Sequence, residues 1–177
     1  MRKGPTFQRY WRKEGVMKAV RLAAASIAVL AAIAYLPRVA LASDKSDVMA
    51  VVNGAVAAFN KGDEKKWESY GTSPGFIISD VPPYQYQGPT APSDWWSSAT
   101  AYNKKGGVTG MAVSLGTAWV LTVTGSRAYA AFPATLTFKE KGKMMKVPGN
   151  VLTIVLQKTA AGWRIASWSF SERQPSM

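Results

Sequence analysis

The fold is decided by residues 127–171, RAYAAFPATLTFKEKGKMMKVPGNVLTIVLQKTAAGWRIASWSFS. Apolar and polar residues alternate through most of this stretch, and short glycine-containing links interrupt it after Glu140 and after Lys158. Alternation with a period of two indicates strands with one buried face, and short links join antiparallel neighbours. We therefore predict an antiparallel meander with strands over Arg127–Glu140, Met144–Lys158 and Trp163–Ser171.

One more strand is predicted directly before this stretch, over Val113–Thr124, with Gly125 and Ser126 as the link. Pro148 and Gly149 stand near the start of the Met144–Lys158 strand. Proline has no backbone N–H for the sheet, and glycine favours irregular backbone. A bulge or a sheet edge is therefore expected at these two residues.

Helical periodicity dominates before residue 108. Apolar residues recur at spacings of three and four from Asp47 to Asn60, which predicts an amphipathic helix. Asp63 can cap a short second helix, and Pro92 introduces a third. Short strands are predicted over Phe76–Ile78 and Gln85–Gly88. The order of elements predicts an α+β fold in which about three N-terminal helices pack against a cone-shaped, curved antiparallel sheet.

The composition excludes several kinds of chemistry. The 177-residue chain has neither cysteine nor histidine, so disulfides, thiolate nucleophiles, cysteine and histidine zinc sites and histidine acid–base catalysis are ruled out. We expect no metal site and no cofactor. The net charge of +12 is concentrated in residues 1–42, which hold eight basic side chains and one acid, and the remaining 14 basic and 9 acidic side chains leave +5 for residues 43–177. A nucleic-acid partner is therefore not expected.

Residues 1–42 have the features of a signal peptide. A basic segment precedes the uncharged core LAAASIAVLAAIAYLP (residues 22–37), and Ala40-Leu41-Ala42 gives the small-x-small pattern of a cleavage site. Met17 is an alternative start of the signal. The sequence predicts cleavage after Ala42, a mature domain over residues 43–177, only transient contact with the membrane, and a bacterial periplasmic or secreted location. An uncleaved membrane anchor is the alternative.

Three segments resemble a known superfamily. They are VVNGAVAAFNKGD (51–63), FIISDVPPYQYQG (76–88) and VLQKTAAGWRIASWSFS (155–171), and they are similar to the nuclear transport factor 2-like superfamily, which includes ketosteroid isomerase and SnoaL-like proteins. The resemblance implies a cone-shaped domain with one deep pocket between sheet and helices. It says little about activity, because this fold carries isomerases, dehydratases, hydrolases and plain binders.

The resemblance also assigns catalytic positions. In ketosteroid isomerases a carboxylate moves a proton while a tyrosine and a protonated aspartic acid stabilise the oxyanion. Asp80 matches the general base, but the tyrosine position falls on Ala55 and the second acid on or near Ala134. Without those donors, steroid-type isomerisation is disfavoured. Ser169 stands where many SnoaL-like relatives carry a histidine.

Asp80 has two interpretations from its neighbours. Because apolar residues surround it in sequence, it can be a partly buried general base with Tyr84 or Tyr70 as a polar helper. It can instead be a strand-end residue that binds the backbone of the turn at Pro82. Asp94 is expected to be a capping or first-turn acid of the third helix.

Aromatic side chains are the main indication of a ligand site. Rings with polar tips are typical of pockets for small molecules, although the same rings can simply fill the core. The candidate ligand-binding residues are Trp67, Tyr70, Tyr84, Tyr86, Trp95, Trp96, Tyr102 and Trp168.

Three functions remain open. The first is an exported, non-catalytic domain that binds a small apolar or aromatic molecule or forms a homodimer through its sheet. The second is a ketosteroid-isomerase-like or dehydratase-like enzyme with Asp80 as the base. The third is an interaction module for a larger exported partner. A lysine cluster around the hairpin tip at Lys141 and Lys143 is interpreted as a solvated loop.

Overall fold

The computed structural model describes residues 43–171. Helix α1 covers residues 43–60. The elements that follow are α2 (Glu64–Glu68), β1 (Gly71–Ile78), β2 (Gln85–Gly88), α3 (Ala91–Gly106), β3 (Val108–Leu115), β4 (Val120–Thr124), β5 (Arg127–Glu140), β6 (Lys143–Thr159) and β7 (Gly162–Ser171). The predicted signal peptide, residues 1–42, lies outside the described residues. No helix within residues 43–171 is both long and apolar enough to cross a membrane.

All seven strands form one curved, unclosed sheet in the order β2-β1-β7-β6-β5-β3, with β4 also paired to β5. The first part of β5 pairs with β4 and its second part with β3. The predicted α+β arrangement of three helices and a curved sheet is confirmed, but the sheet is mixed rather than antiparallel throughout. Strand β1 runs parallel to β7, which is possible because a long crossover and not a hairpin connects the two strands.

The single strand predicted over Val113–Thr124 is in fact two strands, β3 and β4. The chain leaves the ladder at Gly116, whose N–H donates to the Pro133 carbonyl at 2.9 Å, and returns where the Trp119 N–H donates to the Ala131 carbonyl at 3.0 Å. A Cβ at Gly116 would lie 2.9 Å from Pro133 Cγ. The close approach of the backbone to Pro133 thus bends the chain between the two strands.

The proline and glycine in β6 form a bulge. Asn150 pairs with Ala134 and Val147 pairs with Leu136, so β6 carries one more residue than β5 across this interval. Gly149 has a φ of 86°, which favours glycine. The irregularity is a bulge against β5, and it lies just before the part of β6 that pairs with β7, which begins at Val151.

The core lies between the concave face of the sheet and α1. Phe132 of β5 faces Leu152 of β6 across the ladder, and Ala130 faces Ile154; all four side chains are fully buried. Val48 and Val52 of α1 are also fully buried in the same cluster. Burying each such aliphatic side chain contributes about 1.5–3 kcal/mol to folding.

Helix α1 is fastened to the sheet at both ends. At its C-terminal end the Asn60 amide donates to the Val113 carbonyl and accepts from the Val113 N–H, both at 2.8 Å. At its other end one carboxylate oxygen of Asp44 accepts from Lys158 Nζ at 2.5 Å and from Trp163 Nε1 at 3.2 Å. These hydrogen bonds, from Lys158 first and Trp163 second, lower the pKa of Asp44 below its ordinary value of 3.8.

A candidate ligand-binding cavity

A wide cavity of about 1280 Å³ lies between the helices and the concave side of the sheet. Its wall is formed by the end of α1, α3 from Trp95 onward, the loop after β1 and the inner residues of β3, β5 and β7. Glycine at position 107 makes this geometry possible, because it ends α3 with a φ of 72° and turns the chain into β3. The apolar lining includes Phe59, Val81, Trp95, Trp96, Ala99, Met111, Val113, Leu136, Phe138, Trp168 and Phe170.

Five rings from four elements form one aromatic cluster beside this cavity, namely Phe59, Trp67, Trp95, Trp96 and Trp168. Trp67 stands at its centre, with ring centroids 5.0 Å from Trp95 and 5.4 Å from Trp96. Trp168 meets Trp67 edge-on at 5.9 Å. Such tilted and edge-to-face pairs stabilise the cluster by about 0.5–1.5 kcal/mol each beyond the area they bury. The cluster is therefore a fixed wall for a ligand.

Five of the residues named from the sequence line the cavity, namely Asp80, Trp95, Trp96, Tyr102 and Trp168. They come from the loop after β1, from α3 and from β7. Because Trp95, Trp96 and Tyr102 share one helix, their common location follows from α3 alone. Asp80 and Trp168 are brought to them by the sheet.

The other four candidates lie elsewhere. Trp67 stands at the centre of the cluster and lines a separate small cavity of about 30 Å³ instead of the wide one. Tyr70 packs on α1, where its hydroxyl oxygen lies 2.4 Å from the position that a Cβ on Gly54 would take. Tyr86 is buried and donates from its hydroxyl to the Pro82 carbonyl at 2.6 Å. Tyr84 is 59% exposed.

Asp80 is exposed, so the expected partial burial is not found. Its carboxylate accepts a hydrogen bond from the Ser79 hydroxyl at 3.1 Å. The backbone of the following turn is bound by Ser79 and not by Asp80, because the Val81 N–H donates to Ser79 Oγ at 3.2 Å. Asp80 is thus a carboxylate at the cavity wall, open to water and oriented by its neighbour.

Apart from Asp80, the residues at the matched positions carry no polar group into the cavity. Ala55 and Ala134 are both buried in the core. Ser169 pairs with Ile78 and Thr153 on its two sides. Because Trp168 and Phe170 line the cavity, alternation along β7 turns Ser169 to the other face. Asp94 has the predicted first-turn role in α3, where its carboxylate accepts from the Thr90 hydroxyl at 2.7 Å.

Several residues of the cavity were missed by the sequence reasoning. Phe138 and Phe170 each stand two positions after another lining residue of the same strand, Leu136 and Trp168. A period of two places such pairs on one face, so extending the pattern from Trp168 would have found Phe170. Among the rim lysines, Lys61 follows the end of α1, and Lys104 and Lys105 lie in the last turn of α3. They had no comparable signal.

The acidic side chains do not form a metal site in the part of the chain that the structure describes. No three of the aspartates and glutamates within residues 43–171 come together as a possible metal-ligand group. The cavity offers an apolar and aromatic wall, hydrogen-bonding groups, the Asp80 carboxylate and the rim lysines.

Comparison with known proteins identifies relatives of this domain. Residues 48–175 match the family model of the SnoaL-like domain. No curated protein gives a significant match. Among solved structures, a nuclear transport factor 2-like protein with a cystatin-like fold from Novosphingobium aromaticivorans superposes with a TM-score of 0.64 at 18% identity, covering 79% of this chain and 88% of that one.

Two further structures have the same fold. A proposed dehydratase of the nuclear transport factor 2-like family from Streptomyces avermitilis has a TM-score of 0.64 at 15% identity, covering 76% of this chain and 99% of that one. A ketosteroid isomerase-like protein from Erwinia carotovora atroseptica has a TM-score of 0.59 at 19% identity, covering 73% of this chain and 96% of that one. At these identities the similarity concerns the fold.

Proposed function

Since the chain belongs to the SnoaL-like domain family, we propose that it is a binding domain that takes a small, largely apolar or aromatic molecule into its wide cavity. The observation that carries this proposal is the cavity itself, about 1280 Å³ with the rings of Phe59, Trp95, Trp96, Trp168 and Phe170 in its wall. Ligand sites are typically concave and mostly apolar, with a few polar groups that orient the ligand.

Polar groups border the apolar wall. They include Ser79, Asp80, Thr100, Asn103 and the rim lysines Lys61, Lys104 and Lys105. An aromatic wall beside polar groups suits a ligand with an apolar body and polar atoms at its edge. A strongly charged ligand would have to be desolvated against the aromatic rings, which is unfavourable.

Filling the cavity with an additional side chain tests this function. Ala99 is half-buried and lines the cavity, whereas Ala101 of the same helix is exposed and does not. Ala99→Trp is expected to weaken binding of the uncharged fluorescent probe N-phenyl-1-naphthylamine at least about tenfold, since it occupies the apolar space. Ala101→Trp adds the same ring to the outer side and should leave binding unchanged. Equal binding by both variants would contradict the proposal.

A ketosteroid-isomerase-like or dehydratase-like enzyme is the second candidate, and the location of Asp80 in the cavity wall is the observation that favours it. Such an enzyme would use the carboxylate to remove a proton next to a carbonyl. Deuterium uptake by a panel of ketones, followed by NMR, distinguishes the two functions. Exchange that is present in the wild type, lost in Asp80→Asn and retained in Asp94→Asn would establish the enzyme.

The proposal includes export and self-association. The basic segment, the apolar core and Ala40-Leu41-Ala42 support export to the bacterial periplasm or exterior, with a mature start at Ser43. Intact-mass analysis of the exported protein tests this.

The convex face of the sheet exposes Val120 and Tyr129 on neighbouring strands, which supports a homodimer through the sheet. Sedimentation of wild type and Tyr129→Glu tests the dimer, because the charge should dissociate it.

A further inference from the structure

The net charge of the described domain is concentrated at one end. The end of α3 and the tip of the β5–β6 hairpin meet there, because the Lys141 N–H donates to the Gly107 carbonyl at 2.9 Å. We call this region the lysine end, since it carries six exposed lysines: Lys104, Lys105, Lys139, Lys141, Lys143 and Lys146. With Glu140 as its one acid, its net charge is +5. The rest of residues 43–171 has seven basic and seven acidic side chains and no net charge.

The charge of the lysine end is not neutralised within the described residues. The ion pair found in residues 43–171 joins Lys158 to Asp44, and Lys158 lies at the opposite end of β6 from Lys143. The sequence interpretation of a solvated loop considered only the hairpin, whereas the structure adds the two lysines of α3. A surface with this excess of positive charge attracts an anionic partner.

An exposed methionine lies among the lysines. Met144 is 63% exposed and pairs with Lys139 across the ladder, while Lys146 stands two residues further along the same strand. Direct pairing and a period of two place the three side chains on one face of the hairpin. Cations beside an apolar side chain suit a lipid surface, where the cations bind headgroups and the apolar side chain enters the boundary with the acyl chains. A soluble polyanion has no such boundary.

The wide cavity is bordered by the same end of the domain. Lys104, Lys105 and Glu140 are among its lining residues. Apolar molecules leave water for lipid, so a ligand of the proposed kind is concentrated in membranes. We propose that the lysine end binds the surface of membranes that contain anionic phospholipids, with the cavity beside the lipid that supplies its ligand. The membrane contact and the binding function can each fail alone.

A fluorophore at the lysine end tests the contact. The chain has no cysteine, so Met144→Cys in the full chain can be labelled at one position with an NBD dye, whose emission rises in apolar surroundings. Vesicles of phosphatidylglycerol and phosphatidylcholine in equal parts should raise this emission, and vesicles of phosphatidylcholine alone should not. The dye on Ser126→Cys, an exposed position at the other end of β5, should not respond.

Two triple variants with equal net charge distinguish a defined surface from general attraction. The first changes half of the lysine end, with Lys139→Gln, Lys143→Gln and Lys146→Gln. The second changes exposed lysines elsewhere, with Lys45→Gln, Lys65→Gln and Lys66→Gln. The lipid concentration that gives half of the emission rise at residue 144 should increase at least about tenfold in the first variant, because each lysine near an anionic surface adds to binding. It should stay close to wild type in the second. Residues 1–42 are the same in both.

The outcomes separate the possible partners. Emission at residue 144 that does not respond to the anionic vesicles, or equal lipid requirements of the two triple variants, would overturn the membrane contact. Retention on immobilised heparin that depends on the lysine end, without any emission change on vesicles, would identify a soluble polyanion as the partner and would also overturn it. If the anionic vesicles act as expected but N-phenyl-1-naphthylamine does not bind, the binding function fails and the membrane contact stands.

Discussion

Helices α1 and α3 have similar lengths but differ in what they bury. Helix α1 covers the core with Val48, Val52, Ala55, Val56 and Ala58, all of them buried. Helix α3 buries only Ala91 and Trp95, both in its first half. Its second half, from Ala99 to Gly106, is not buried; it borders the wide cavity and contacts the sheet where the Asn103 amide donates to the Met111 sulfur at 3.9 Å.

This difference in burial assigns stability mainly to α1 and ligand contacts mainly to the second half of α3. A helix that packs along its whole length adds buried area at every turn. A helix that is buried only in its first half leaves a cavity between its second half and the sheet. The side chains that shape this cavity contribute little to folding. Substitutions in α1 and in the second half of α3 should therefore have opposite profiles of stability and ligand affinity.

The largest effect is expected from placing the same charge in the two helices. Ala55→Asp puts a carboxylate into the fully buried face of α1, and we expect a loss of about 3–5 kcal/mol in the free energy of unfolding because nothing there compensates the charge. Ala99→Asp in α3 should cost clearly less, because Ala99 is only half-buried and borders the open cavity. Urea unfolding of both variants measures this. Equal losses would end the contrast between the helices.

The link between α1 and the cavity wall should give the next largest effect. Asn60→Ala removes both hydrogen bonds to the Val113 backbone, and we expect a loss of about 1–3 kcal/mol since the Val113 N–H and carbonyl are left without this partner. Asn53→Ala changes an exposed position of the same helix and serves as the control in thermal unfolding. If Asn60→Ala lowers stability no more than the control, the hydrogen bonds between Asn60 and Val113 do not stabilise the fold.

Two adjacent glycines sharpen the comparison at the end of α3. Gly107 has a φ of 72°, and a Cβ there would lie 3.3 Å from Lys141 Cγ, whereas a Cβ on Gly106 would meet only Val108 Cγ2 at 3.6 Å. Gly107→Ala should destabilise the domain by about 1 kcal/mol, since the left-handed backbone disfavours a side chain. Gly106→Ala should be neutral or stabilise by up to about 1 kcal/mol. If chemical denaturation shows that both substitutions destabilise the domain equally, the left-handed backbone at Gly107 is not what makes glycine necessary there.

The smallest effect is expected at the start of α1 and depends on pH. The hydrogen bonds from Lys158 and Trp163 lower the pKa of Asp44 in the folded state. Its contribution to stability is therefore complete above the unfolded pKa of 3.8 and is lost as the pH falls through the lower folded value. Asp44→Asn should be less stable than wild type at neutral pH, and the difference should vanish in acid. Stability measured from pH 7 to pH 2, with Asp47→Asn as control, tests this, and a difference independent of pH would contradict it.

Much of the fold could be predicted because its signals are local. The helical spacing from Asp47 to Asn60 and the alternation after residue 127 give α1 and β5 to β7 with small errors at the ends. The parallel direction of β1 relative to β7 could not be predicted, because β7 lies about ninety residues further along the chain. A parallel pair of that kind is determined by the packing of all intervening elements, and no local pattern encodes it.

The candidate site was predictable only where one element carries several of its residues. Trp95, Trp96 and Tyr102 follow from α3, and Trp168 from the inner face of β7. Tyr84 and Tyr86 do not line the cavity, because residue type alone does not tell where a side chain points. Tyr84 is exposed, and Tyr86 is buried with its hydroxyl donating to the Pro82 carbonyl. The burial of Asp80 could not be judged from apolar sequence neighbours, because the loop after Ile78 carries it to the cavity wall and leaves it exposed.

The parallel pairing of β1 with β7 has a consequence for the order of events during synthesis. Residues 76–78 have no parallel partner until residues 167–169 have been synthesised. The hydrogen bond from Trp163 to the Asp44 carboxylate likewise cannot form before Trp163 has been synthesised. Contacts between such distant segments form late and slowly, because a long loop must close before they contribute any stability. A chain still on the ribosome without β7 can thus hold its helices and early hairpins but cannot complete the sheet. Cooperative folding of this domain begins only after its last strand is available.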